Sequence, residues 1–372
     1  MEQNKLDNFA KEILKTGFVL ENRIAQELNN LGWTVISNRY YIDDLQESVR
    51  EIDLVAYRVT KVQHFDVYTT LIISCKKSEP NAWALLTREI NLRDLNVDLF
   101  PLHAWSNDKA LIFQLSEPNK ASRYYEQLAS MGVKGSLGSP TVEVFAFQEM
   151  NKESGKPQND SPIFSAITSL MKAQAYELAA LPARKKAPSV YQFNLLSVVD
   201  TDLIRLMFKG STIECTELET EHYLARYIIH KREMFSRIRF IKADSFSSTL
   251  EDYGRLHKAN CRWFNAECNL FYSSLLKDWK RREVLAEQFK SAIKSQIYLN
   301  LVVRFKKSID VGSLSVICIN DKNILLISWA VPPDIINFLN SDPEIRKNVS
   351  KILKIIYRYE GEFSFQFDDI PF

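Results

Sequence analysis

The sequence predicts an α/β protein, on three observations. Apolar residues recur at helical spacing in "GFVLENRIAQELNNLGW" (17–33), and three runs rich in Val, Ile, Leu and Tyr follow at once, so a helix leads directly into strands. Strand-like and helix-like segments alternate again through the middle of the chain. With 372 residues, 46% hydrophobic and 25% charged, there is enough apolar material for a sizeable core in two or three structural units.

Taken in order, 5–15 and 18–31 read as helices, the second with Phe18, Val19, Ile24, Leu28 and Leu31 on apolar positions and Gly32 as its stop. "WTVISNRYY" (33–41) is a strand, "IDDLQESV" (42–49) a polar turn, 51–59 a second strand and 66–76 a third, whose Val67, Leu71, Ile72 and Ile73 predict deep burial. A helix is expected from Ala82 to Asn96, with strands at 98–104, 109–114 and 141–148, and "MNKESGKPQNDSP" (150–162) reads as a linker. Ser161 before Pro162 starts a helix that runs to Leu181, where "PARKKAPS" breaks it. Strand-like runs at 190–199, 222–229 and 236–243 precede helical patterns at 246–259 and 264–295. Near the end, "QIYLNLVVRF" (296–305), "SLSVICIN" (313–320) and "ILLISWAV" (324–331) read as strands, the last two joined through Asp321 and Lys322 in a hairpin. Two short helices then lead to an acidic-aromatic tail, "EGEFSFQFDDIPF".

Composition removes several function classes. The 48 basic and 46 acidic residues leave a net charge of +2, so any site for a polyanion must be local. Cys75, Cys215, Cys261, Cys268 and Cys318 are scattered and lack paired C-x-x-C spacing, which disfavours a structural metal and suits reduced thiols. The amino-terminal "MEQNKLDNFAKEIL" has acids and no apolar run of signal-peptide length, and no stretch is apolar enough to span a bilayer. A soluble, cytoplasmic protein without a membrane partner is expected. His64, His103, His222, His230 and His257 show no zinc-protease spacing, and neither a phosphate-binding loop nor a dinucleotide fingerprint is present. A nucleotide-powered ATPase would have to be a separate partner.

The informative stretches are "REIDLVAY" (50–57) and "LIISCKKSEPNAW" (71–83), which place charges in otherwise apolar strands. Side chains alternate along a strand, so Glu51 shares a face with Asp53, and Ser74 with Lys76, while Cys75 points the other way as a small buried apolar residue. If the two strands pair, a carboxylate, a hydroxyl and an ammonium converge, and Glu21 can reach them from the preceding helix. Carboxylates are hard ligands for Mg²⁺, and a lysine beside them can orient a water or stabilise phosphate charge, which suits metal-assisted phosphodiester hydrolysis. Taken alone, each residue has an ordinary reading: an exposed helix glutamate for Glu21, solvated flanking charges for Glu51 and Lys77, and packing for Trp83.

Glu21, Asp53 and Lys76, in this order and spacing, resemble the PD-(D/E)XK nuclease superfamily, in particular its Mrr-like restriction branch. The likeness covers residues 15–90. It implies a restriction-endonuclease-like amino-terminal domain (1–149) with a mixed central sheet flanked by helices. An α/β middle section (162–260), able to extend the nuclease sheet, and an α+β carboxy-terminal region (261–372) follow. It further implies Asp53 as main metal ligand, Glu21 as auxiliary ligand, Lys76 as the water-orienting or phosphate-stabilising group, and Mg²⁺ or Mn²⁺ as cofactor. The chain departs from the family at Ser74, where an acid usually stands; Glu51 and Glu79 are the candidate replacements.

The implied function is a Mg²⁺-dependent DNA endonuclease of bacterial restriction or anti-phage defence, with RNA as the other substrate class and a homodimer as the simplest way to cut two strands. Its alternative, motivated by Ser74, is a catalytically inactive subunit of a defence complex that keeps the fold and binds nucleic acid or partner proteins. A third reading is a protein-interaction module built on the aromatic carboxy-terminal region. Lys77 and the basic-aromatic stretch "HKREMFSRIRF" (230–240), with Lys231, Arg232, Arg237 and Arg239, are the candidate phosphate contacts; the basic residues of 277–294 read instead as the wet face of a helix.

Overall fold

Two helices open the chain, α1 (Glu2–Ile13) and α2 (Gly17–Asn30). Leu20, Ile24 and Leu28 give α2 a buried stripe, and its end follows from Gly32 at φ +75°. The Gly32 N–H donates to Asn29 O and the Trp33 N–H to Leu28 O, both at 3.0 Å, the two-bond glycine cap that turns the chain out of a helix. The remaining elements of the first half are β1 (Thr34–Asp43), β2 (Ser48–Val62), β3 (Phe65–Lys77), β4 (Asn81–Glu89), β5 (Ala104–Ser106), α3 (Lys109–Ser116), α4 (Lys120–Ser130), β6 (Val142–Asn151) and α5 (Ser161–Arg184). Next come β7 (Ser189–Asp200), β8 (Leu203–Lys209), β9 (Thr212–Leu218), β10 (Thr220–Ile229), β11 (Arg232–Lys242), α6 (Phe246–Ser274) and α7 (Trp279–Ile293). The last elements are α8 (Leu299–Phe305), β12 (Ser315–Ile319), β13 (Leu325–Trp329), α9 (Pro333–Ser341), α10 (Pro343–Tyr357) and β14 (Phe363–Phe367). The structure is a computed structural model and describes residues 2–43, 48–94, 96–138, 140–306, 308–319 and 324–367. It is mixed α/β, in two units: 1–108 with 118–264, and 109–117 with 265–372.

In the first unit, a seven-stranded mixed sheet has the order β1-β2-β3-β7-β11-β10, with β5 pairing beside β7. β1, β2 and β3 are antiparallel neighbours, β3-β7 and β7-β11 are parallel, and β11-β10 is antiparallel. Flanked by strands on both edges and covered on both faces, β7 is buried along nearly its whole length. A second mixed sheet, β6-β4-β8-β9, belongs to the same unit. Helix α5 packs Ile163, Ile167, Leu170 and Met171 into the core with Ile72, Leu195 and Val199.

Several segments differ from the expectations drawn from sequence. Residues 82–89 are strand β4, not the start of a helix. Ala82, Trp83, Ala84 and Leu85 are all buried, because β4 lies between β6 and β8, and a strand buried on both faces loses the alternation that marks strands. Residues 109–116 form helix α3, since a short apolar run reads equally well as either element. Residues 299–305 are helical as well, and the hairpin β8-β9 lies where no strand was expected.

The second unit explains the helical reading of 299–305. Leu285, Phe289, Ile293, Ile297 and Leu301 are all buried in one core, at a strict spacing of four residues. An α-helix advances about 100° per residue, so a period of four drifts by about 40° each step. A single wide π turn, Lys294–Tyr298, takes up part of that drift between α7 and α8. The expected tail supplies β14, which runs parallel to β13 and buries Phe363 and Phe365. β12 and β13 are antiparallel neighbours, and the expected Asp321-Lys322 turn between them lies outside the described residues. Among the described residues no helix is long and apolar enough to cross a membrane.

Candidate active site

The site is made by a ladder that stops early. β2 and β3 pair from Val62↔Phe65 to Leu54↔Ile73 and then part, while β3 continues against β7 as far as Lys77↔Asp200. On its other side β2 is interrupted too. Between the pairs Ser37↔Leu54 and Arg39↔Ile52, Asn38 adopts φ +53°, a conformation asparagine tolerates better than most residues. Asp53 is therefore the residue at which β2 is least held by its neighbours.

Its side chain does what the missing ladder would have done. Asp53 Oδ2 accepts the backbone N–H of Cys75 at 2.7 Å, and also faces Ser74 Oγ at 3.3 Å and Lys76 Nζ at 3.4 Å. The bond to Cys75 is short and charge-assisted, and it satisfies an amide of a buried residue. None of these three donors reaches Oδ1. Ser74 is buried, whereas the Lys76 side chain keeps 34% of its exposure and can meet a ligand from solvent. Asp53, Ser74 and Lys76 line a cavity of about 60 Å³ closed by Ser169 and Leu170 of α5.

Glu21 comes to the same place from α2. Burial raises its pKa above the usual glutamate range, and the charges of Asp53 and, more weakly, Glu51 push the same way against the lowering effect of Lys76. The thiol of Cys75, on the opposite face of β3, is held well above its ordinary range, first by burial and then by Asp53 and Glu21. Glu51 borders the cavity but is exposed and accepts from Asn38 Nδ2 at 2.5 Å. Glu79 is 3.4 Å from Lys77, whose ammonium also donates to the Leu14 carbonyl at 3.0 Å. Thus Asp53, Ser74 and Lys76 are gathered together, with Glu21 on α2 within range of their charges, Glu51 at the rim and Lys77 turned to protein partners. Ser169, Leu170 and Asn38 had no local motif to announce them.

The basic stretch 230–240 divides in two. His230 and Lys231, both at positive φ, make the tight turn between β10 and β11, and Lys231 and Arg232 are exposed there. Arg237 and Arg239 lie inside. Arg237 donates to the carbonyls of Leu137, Gly138 and Leu99 at 2.7–2.9 Å and lies over the Tyr125 ring, and Arg239 pairs with Asp252 at 3.0 Å. From Ser236 to Ile241 β11 is buried on both faces, which turns these two cations into internal fasteners, so they are removed from the list of phosphate contacts.

Among the described residues no group of three or more His, Cys, Asp or Glu side chains is arranged to hold a metal ion. Two acids remain, Asp53 and Glu21, which matches the one or two protein carboxylates that Mg²⁺ ordinarily takes while keeping several waters. Burial first and then the charge of Asp53 raise the Glu21 pKa, and a divalent cation would offset the second of these. No protein-family model, curated protein or solved structure matches the chain.

Proposed function

We propose that the opened end of β2 and β3 is a PD-(D/E)XK-type site for hydrolysis of DNA phosphodiester bonds. The observation that carries this reading is the meeting of Asp53 and Lys76 where the ladder between two strands stops, with Glu21 close enough to feel both charges. Asp53, through Oδ1, and Glu21 would hold Mg²⁺ or Mn²⁺, with Glu51 as a further acid at the rim. The bound ion would supply Lewis-acid stabilisation of charge on the phosphoryl oxygens. Lys76 stabilises the anionic phosphate or orients the attacking water, and its bond to Asp53 keeps the ammonium on the cavity side of β3. Ser74 offers a neutral hydroxyl where an acid would bind metal more strongly, so metal demand is high.

Incubating the full chain with plasmid and linear DNA in Mg²⁺ or Mn²⁺ tests the reading. Metal-dependent cutting that is lost in Asp53→Asn and in Lys76→Ala is expected; cutting that survives both changes removes the site from the reaction. A second reading is favoured by Ser74 itself: a subunit that keeps the fold and retains DNA without cutting it. Salt-sensitive DNA retention in a gel-shift assay, with no cleavage in either metal, would select it, because phosphate contacts weaken as salt rises.

A further inference from the structure

On the α5 side of the seven-stranded sheet lies another cavity, of about 190 Å³, that the proposed hydrolytic site does not use. The parallel register of β3 and β7 sets Tyr68 beside Tyr191, so their rings stack 4.1 Å apart and 4° from coplanar. Tyr57 of β2 leans on Tyr68 with ring centres 5.7 Å apart. Three cations border the same space, Arg39 from β1 and Arg184 and Lys185 at the end of α5, against one carboxylate, Glu177. Glu177 is 2.7 Å from Arg39 and 3.0 Å from Arg184, and the Lys185 ammonium rests 4.6 Å from the Tyr68 ring centre and 3.3 Å from its hydroxyl. Burial first, then the neighbouring Tyr68, holds the Tyr191 phenol far above the usual tyrosine range, so no phenolate adds negative charge here.

Thr70 points to a ligand independently. It follows Tyr68 on the same face of β3, lines the cavity and is only 4% exposed, yet its hydroxyl has no hydrogen-bond partner among the described residues. A buried hydroxyl without a partner is costly, and one at a cavity wall is available to a bound molecule. The aromatic wall suits a planar ring, and the surplus of cations suits an anion. The volume is below the roughly 300–1,000 Å³ typical of ligand pockets and the cavity opens to solvent, which limits the occupant to a small molecule of one base, one sugar and one phosphate.

We propose that this cavity binds a free nucleoside 5′-monophosphate, its base against the tyrosines, its phosphate on the side of Arg39, Arg184 and Lys185, and one acceptor on Thr70. The site is separate from the hydrolytic one: Thr70 and Ser74 are four residues apart on the same strand, about 13 Å at the usual rise. The inference does not depend on the nuclease reading.

Isothermal titration of the full chain with the nucleoside 5′-monophosphates, the parent nucleosides and inorganic phosphate tests it. At least one monophosphate should bind more tightly than its nucleoside and than phosphate alone. Lys185→Gln should weaken that binding by about tenfold or more. Thr70→Val, which deletes a hydroxyl the free protein leaves unpaired, should weaken binding while leaving the melting temperature unchanged or higher. Asp53→Asn should leave the affinity as it is, which separates this site from the hydrolytic one. The proposal is overturned by absence of heat with every monophosphate, by equal binding of phosphate alone, by affinity that ignores both Lys185→Gln and Thr70→Val, or by loss of binding in Asp53→Asn.

Discussion

Asp53 has two roles that substitution can separate, one in the fold and one in chemistry. Asp53→Ala removes the acceptor of the Cys75 amide, a bond of 2.7 Å to a residue that is 3% exposed. Leaving a buried donor unsatisfied costs about 1–3 kcal/mol. The Lys76 ammonium, released from a half-exposed ion pair, adds at most ~1 kcal/mol. Asp53→Asn keeps a carbonyl oxygen for the same amide and should cost well under the alanine figure. At about 2–4 °C per kcal/mol for a domain of this size, the alanine variant should melt roughly 2–16 °C lower than wild type, with asparagine close to wild type. Differential scanning calorimetry reads that split. DNA cleavage in Mg²⁺ should fall to background in both, because neither residue brings a negative charge. Equal melting of the two variants would refute the account of how β3 is capped, and cleavage by Asp53→Asn would refute the ligand role.

Ser74→Glu should lower the metal concentration needed for half-maximal cleavage, or create cleavage where wild type has none; a metal titration that does not move counts against Ser74 as the weak point of the site. Burial and Asp53 make the Glu21 carboxylate hold its proton more tightly in the folded chain than in the unfolded one, so this group's contribution to stability is present below the usual 4.5 and is lost as pH rises through its raised pKa. Glu21→Gln should accordingly melt no lower than wild type at neutral pH while weakening metal-dependent activity, and a lower melting temperature there would contradict the burial argument. His222 is lowered to about 3, by burial and then by Arg239 and Arg237, and His257 to about 4, by burial and then by Arg58, both from an ordinary 6.5. The unfolded chain therefore takes up their protons first, and stability should be lost as pH falls from 6.5 towards 4, with His222→Gln reducing the slope of melting temperature against pH; an unchanged slope would refute it. Trp83→Phe deletes the indole N–H that Glu149 accepts at 3.0 Å in a buried setting and should cost about 1–3 kcal/mol in urea unfolding; an unchanged midpoint would show the bond to be dispensable.

What could be read from the residues was local. α2, β1, β2 and β3 announce themselves because one helical stripe ends on a glycine and three short apolar runs are separated by polar turns, and the charges that matter lie inside those same elements. Ser74 could be identified as a departure without any coordinates. β4 could not be read, since its environment is supplied by β6 and β8, whose partners are distant in sequence, and that pairing decides the conformation of an Ala- and Leu-containing run. Arg237 and Arg239 look like a surface patch until β11 is placed between β7 and β10, where both of its faces are buried. Arg39, Thr70, Glu177 and Lys185 share no motif at all; only the assembly of β1, β3 and α5 makes them neighbours.

Lys76 is the last residue but one in a strand of one sheet, and five residues later Asn81 begins a strand of another. Asp53 rides on β2, which belongs to the first sheet alone. Ammonium and carboxylate therefore share one sheet, and of the two strands that carry them only that of Lys76 leads directly into the other sheet. A packing defect introduced at β4, whose first residue is five positions beyond Lys76, would be felt as a misaligned lysine.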